Sequence, residues 1–173
     1  MSHIFETAPT GRAKCRGCNA LIAKGELRFG EHIPNPYGDG EATLWFHPIC
    51  GMYKRPEAFL EALGTNDATL PDRDRLEREA REGIAHRRLP RIDGAERAPS
   101  GRAHCRSCRE VITKGDWRFP LVYFEEGRFQ PSGYVHAKCS KEYFGTVDIL
   151  ERVRHFGRLE EGDVEDIRRV VEA

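Results

Sequence analysis

No stretch of this sequence approaches the roughly eighteen consecutive apolar residues that cross a bilayer, and the opening MSHIFETAPT holds no apolar run that could act as a secretory signal. A membrane protein and a secreted one are therefore not expected. Net charge is lacking too: 28 Lys and Arg balance 28 Asp and Glu, so the chain as a whole is no polycation. Apolar mass is thin, with 39% hydrophobic residues against 32% charged and a mean hydropathy of -0.64. A chain of 173 residues is long enough for one domain or two small ones. Small domains with so few large apolar side chains usually need a staple such as metal or disulfides. Missing as well are a Gly-rich nucleotide loop, a nucleophile elbow and a pair of catalytic carboxylates, so no enzyme is expected.

What is present is a repeat. GRAKCRGCNALIAKGELRF (11–29) and GRAHCRSCREVITKGDWRF (101–119) are identical at 11 of 19 positions, and the two copies meet again at HPIC (47–50) and HAKC (136–139). All six cysteines fall inside these motifs. Cys15, Cys18, His47 and Cys50 form C-x2-C-x28-H-x2-C; Cys105, Cys108, His136 and Cys139 form C-x2-C-x27-H-x2-C. Three thiolates and one imidazole make a common structural zinc set, and four protein ligands leave no open position for a reacting water. Two structural Zn2+ ions are the expected cofactors. Disulfides would need an oxidising compartment, a redox C-x-x-C would need a thioredoxin-like context, and a catalytic cysteine would have to be free of metal. His104 has Lys14 as its repeat counterpart and is read as a surface residue, as are His3, His32, His86 and His155.

The pattern predicts small α+β zinc-stabilised domains, two tandem Cys3His fingers, each a short antiparallel sheet followed by C-terminal helices. Module 1 is expected over 8–88 and module 2 over 99–173, with 89–98 as a linker. In each copy a strand should follow the Cys pair, at 27–33 and 117–124. A loop rich in Pro and Gly comes next (34–42, 125–133), then a short strand entering the His-Cys pair (43–47, 134–136). Apolar residues at helical spacing, Leu76, Ala80 and Ile84 and then Val164, Ile167, Val170 and Val171, predict helices packed on their own modules. Phe29, Phe119, Trp45 and Trp117 are expected in the core.

The order GRAxCxxC, KG, RF, WFHPIC resembles the poly(ADP-ribose) polymerase-type zinc finger, a family with an unusually long gap between its Cys pair and its His-Cys pair. The resemblance covers both modules. It implies binding to DNA at nicks, gaps and ends, with arginines on the backbone near the break and apolar loop residues on the exposed base pair. Carried over by motif position, the arginine ahead of the first cysteine is Arg12 or Arg102, and the strand arginine is Arg28 or Arg118. The stacking loop departs from the family: the corresponding positions are Ala42, Asp39 and Gly38 in copy one and Pro131, Arg128 and Gly127 in copy two. In the polymerase, and in a eukaryotic DNA ligase with one such finger, the family's fingers deliver a catalytic domain, and none is expected here.

The same outcome follows from the residues. Residues 11–29 carry five Lys/Arg against one acidic residue, and 101–139 carry seven against four, so the basic charge is local. Arginine presents a planar fork suited to phosphate oxygens, and phosphate contacts position a protein without reading sequence. Arg12, Arg16 and Arg28, with Arg102, Arg106 and Arg118 at equivalent places, form the expected grip. A break exposes a base face that continuous duplex hides, and an aromatic ring stacked there gains about 1–3 kcal/mol. Tyr37 and Phe129 are the candidates. Two fingers on one chain would gain avidity from binding one target together. The expected partners are DNA with strand breaks and DNA repair proteins, with no membrane and no small-molecule substrate. The expected place is cytoplasmic, nucleoid-associated in a bacterium or nuclear in a eukaryote. Binding of RNA or intact DNA, or a purely structural zinc module for protein contacts, are the alternatives.

Overall fold

The computed structural model describes residues 2–66 and 69–173. The chain divides into two compact units, Met1–Ala85 with Glu125–Arg128, and His86–Phe124 with Phe129–Ala173. Each contains a three-stranded antiparallel sheet followed by helices.

In the first unit β1 (Ile4–Thr7), β2 (Leu27–Pro34) and β3 (Glu41–Phe46) pair in that order. Alternation along β2 and β3 sends Phe29, Glu31, Leu44 and Phe46 to a buried face and Arg28, Gly30, Thr43 and Trp45 to the other. Phe29, Phe46 and Phe59 are fully buried, and their rings, with Phe5, lie 5.5–5.7 Å apart in tilted and edge-to-face pairs. Helices α1 (Pro48–Lys54), α2 (Pro56–Thr65) and α3 (Arg73–Ala85) close this face. Proline stands first in both α1 and α2, where its missing N–H costs nothing. Gly51 is fixed by packing, since a Cβ there would lie 2.4 Å from the Phe29 ring. Leu76 and Ala80 of α3 are buried as the periodicity predicts, whereas Ile84 is exposed and Gly83 takes the inward place near the helix end.

The second unit repeats the plan with β4 (Glu96–Arg97), β5 (Trp117–Glu125), β6 (Arg128–His136), α4 (Ser140–Phe144), α5 (Leu150–Phe156) and α6 (Glu161–Val171). Its core gathers Ile112, Phe119, Val135, Ile149, Val153 and Ile167. The N-terminus of α6 carries a capping box, Asp163 accepting from the Glu160 amide at 3.1 Å.

Two sequence expectations need correction here. Residues 89–98 are not a free linker: Leu89–Arg91 form a 3-10 turn and Glu96–Arg97 form β4, and Leu89, Ile92 and Ala98 are buried in the second core. Apolar side chains and a sheet partner hold this segment, where composition alone suggested a tether. The loop expected at 125–133 is mostly strand. Glu126 and Gly127, both at positive φ (50° and 77°), make the tight turn that lets β5 fold back as β6.

Candidate metal centres and nucleic-acid interface

Each zinc knuckle is built from the same hydrogen bonds. The Cys15 and Ile22 amides donate to Ala20 and Ala13, and those of Cys105 and Ile112 to Glu110 and Ala103, all at 2.8–2.9 Å. Asn19 and Arg109 close the turns at φ 65° and 70°. The Arg16 and Arg106 amides reach across to the carbonyls of Trp45 and Tyr134, both at 2.9 Å, fixing the knuckle to the strand that leads to the histidine ligand.

The four donor atoms of each set, Cys15, Cys18, His47, Cys50 and Cys105, Cys108, His136, Cys139, lie within 4.8 Å of one another. His47 Nδ1 is 3.4 Å from Cys18 Sγ and 4.0 Å from Cys50 Sγ; His136 Nδ1 is 3.4 Å from Cys108 Sγ and 3.7 Å from Cys139 Sγ. A tetrahedral zinc with bonds of about 2.3 Å to sulfur and 2.0 Å to nitrogen sets such edges at about 3.5 Å, so the residues fit the ion. Backbone amides also donate to sulfur: Gly17 and His47 to Cys15, Ser107 and His136 to Cys105, at 3.3–3.4 Å. On the far side of the first imidazole, Glu26 Oε2 stands 4.0 Å from His47 Nε2, the outer carboxylate that often orients a ligating histidine.

The protein alone favours one thiolate in each cluster and opposes further negative charge there. The Cys15 thiol is lowered to about 4 by the Cys50 thiol hydrogen bond, against burial and with help from the His47, Cys18 and Gly17 amides. Cys50 is pushed far up in exchange by the same hydrogen bond and by burial, and burial also raises Cys18. In the second cluster burial raises Cys139 to about 12. Burial opposes ionisation of Cys105 as well, but amide donors from Cys108, His136 and Ser107 outweigh it. Burial, and then the Lys138 charge, lower the His136 pKa. A divalent cation is what allows three thiolates to coexist, and both donor sets are those of structural Zn2+.

The model for the poly(ADP-ribose) polymerase and DNA-ligase Zn-finger region matches residues 6–87. The first finger belongs to the poly(ADP-ribose) polymerase-type zinc-finger family. The second finger carries the same ligand order, knuckle and strand plan. Across both, the chain is 24% identical to a poly [ADP-ribose] polymerase of Sarcophaga peregrina, covering 96% of this chain and 19% of that protein. It is 23% identical to the polynucleotide 3'-phosphatase ZDP of Arabidopsis thaliana, covering 99% and 28%, and 26% identical to poly [ADP-ribose] polymerase 1 of Oryza sativa subsp. japonica, covering 79% and 14%. The chain thus spans less than a third of these relatives' length. Among the described residues no helix is long and apolar enough to cross a membrane.

The arginines expected from the sequence fall into two groups. Arg12, Arg16, Arg102 and Arg106 are exposed, and their guanidinium groups have no ion-pair or hydrogen-bond partner among the described residues. Arg28 and Arg118, expected as phosphate contacts, are 7% and 6% exposed. Glu6 holds Arg28 at 2.5 Å, and Glu96 holds Arg118 at 2.9 Å. Trp45 covers the Arg28 guanidinium at 3.5 Å from its ring centroid, and Tyr134 covers Arg118 at 3.6 Å. This carboxylate–arginine–aromatic stack recurs in both fingers. In neither does the arginine present its fork to solvent.

The aromatic candidates also differ from each other. Tyr37 is 73% exposed on a loop that Asn35 ties together, accepting from the Tyr37 amide at 3.0 Å and donating to the Asp39 carbonyl at 3.3 Å. Phe129 is half-buried on β6, packed against Phe124 at 5.1 Å. Phe29 and Phe119 are core, while Trp45 and Trp117 are half-buried. Sequence reading passed over Lys54, a buried cation donating to the Gly17 carbonyl at 2.7 Å, and Glu31, 3% exposed and clamped by Arg55 at 2.7 and 2.8 Å. Two charged residues interrupting otherwise structural motifs, KR after the HPICGMY run, were the available signal.

Proposed function

We propose that the chain is a non-enzymatic sensor of DNA strand breaks that acts as an adaptor for repair proteins. The observation that carries this reading is the exposed arginine pair flanking the first zinc ligand of each finger, Arg12 with Arg16 and Arg102 with Arg106, whose guanidinium groups have no partner among the described residues. Charges with internal partners are spoken for; these four are held on a rigid, metal-stapled knuckle and are free for phosphate oxygens. Tyr37 supplies the aromatic face for a base that a nick, gap or end uncovers, and Phe129 is its counterpart in the second finger. Stacking of that kind is unavailable on continuous duplex, so it gives selectivity for DNA structure in place of sequence.

Competition binding of nicked, gapped and intact duplexes over a range of salt tests the proposal. Preference for the interrupted duplexes is expected. Equal affinity for all three removes break recognition, and no DNA binding at low salt favours a protein-interaction module.

A further inference from the structure

A cleft of ≈ 380 Å³ opens beside the first zinc site, walled by Lys14, Cys15, Arg16 and Asn19 of the knuckle and floored by Thr43 and Trp45 of β3. Trp45 is fixed in this cleft from several sides. Arg28 covers one face of the indole at 3.5 Å, and the ring edge lies against Gly30, where a Cβ would come within 2.7 Å of Cζ3. The Trp45 carbonyl accepts from the Arg16 amide. The polar walls are unengaged: the Lys14, Arg16 and Asn19 side chains have no hydrogen-bond or ion-pair partner among the described residues. A pre-set aromatic ring, a side-chain amide offering both donor and acceptor, and two cations are the chemistry that recognises one nucleotide.

We propose that this cleft takes a single nucleotide, its base on Trp45 and Asn19 and its phosphate on Lys14 and Arg16. The inference rests on the reading of the chain as a break sensor, in which the nucleotide is an unpaired one at the interruption. Such a nucleotide costs least to draw out of the stack. A free mononucleotide has the same chemistry. The second finger is not equivalent, because Arg109 stands in place of Asn19, His104 in place of Lys14 and Tyr134 in place of Trp45.

The chain has two tryptophans, and the Trp117 Nε1 has no hydrogen-bond partner among the described residues, so Trp117→Phe leaves Trp45 as sole reporter without removing a hydrogen bond found there. This full-length, zinc-loaded protein is titrated with intact duplex, fully paired nicked duplex, nicked duplex carrying one unpaired adenine, and dAMP. Trp45 emission and the anisotropy of labelled DNA are read separately. The unpaired-adenine duplex is expected to quench Trp45 and to bind about tenfold more tightly than the fully paired nick. Asn19→Gly, which keeps the left-handed turn, is expected to erase that preference. Quenching by the adenine duplex alone assigns the cleft to DNA, and quenching by dAMP alone assigns it to a free nucleotide. Quenching by neither, with anisotropy still showing nick binding, overturns the cleft and leaves break recognition standing. Equal anisotropy for nicked and intact DNA removes break recognition instead, while quenching by dAMP would still place a nucleotide in the cleft.

Discussion

Glu6→Ala strips the Arg28 guanidinium of its carboxylate while leaving the zinc ligands and the knuckle arginines untouched. Arg28 is 7% exposed and gives Glu6 two N–H donors, Nε at 3.2 Å and Nη2 at 2.5 Å. Hydrogen bonds to charged groups contribute about 1.5–3 kcal/mol, and a buried cation that loses its partner can cost about 3–5 kcal/mol. Glu6 itself is 41% exposed, which screens the pair and favours the lower range. The expected loss is about 2 kcal/mol, a fall of about 8–16 °C in the melting temperature of a domain this small. Thermal unfolding of the zinc-loaded chain in a Trp117→Phe background follows the first finger through Trp45. Arg28→Met in the same background should be destabilising too, and its effect should not add to that of Glu6→Ala. Its DNA salt dependence should match the parent's. Two results would refute the internal role of Arg28. One is a Glu6→Ala midpoint within about 2 °C of the parent. The other is a salt slope for Arg28→Met shallower by about 0.9, the signature of one lost phosphate contact.

Arg12→Ala and Arg102→Ala should each weaken DNA binding and lower the salt slope by about one phosphate contact, with two zinc ions retained by metal analysis. Gly51→Ala drives a Cβ to 2.4 Å from Phe29 and should cost about 1–3 kcal/mol in denaturant unfolding. Arg55→Ala strands the Glu31 carboxylate, 3% exposed, and should cost about 3–5 kcal/mol. The second finger shows that the site itself has an apolar solution, since the residues aligned with Glu31 and Arg55 are Leu121 and Phe144, both in its core.

The metal ligands were legible because coordination chemistry fixes residue type and short spacing, and the repeat states the pattern twice. The strands after the Cys pairs were legible for a similar reason, starting at Leu27 and Trp117 as read. The direction of Arg28 was not. Its alternation with Phe29 shows that the two face opposite ways, but only the register pairing Gly30 with Trp45 brings an indole over the guanidinium. Glu6 and Glu96 stand at the same repeat offset as the knuckles and went unread, because β1 and β4 are short and gain their strand character from β2 and β5. The segment 89–98 reads as a tether by composition, and its burial depends on partners far along the chain.

The two metal clusters are not equally shielded. Cys15 and Cys50 are buried and Cys18 is half-covered, whereas Cys108 lies exposed at the rim of the second cluster. An incoming thiol, oxidant or chelator meets a more open cysteine in the second finger than any in the first. Metal exchange should therefore proceed in order, the second finger first, giving the chain three states distinguished by how much zinc it holds. Half of the zinc-held scaffold would then be lost before the other half.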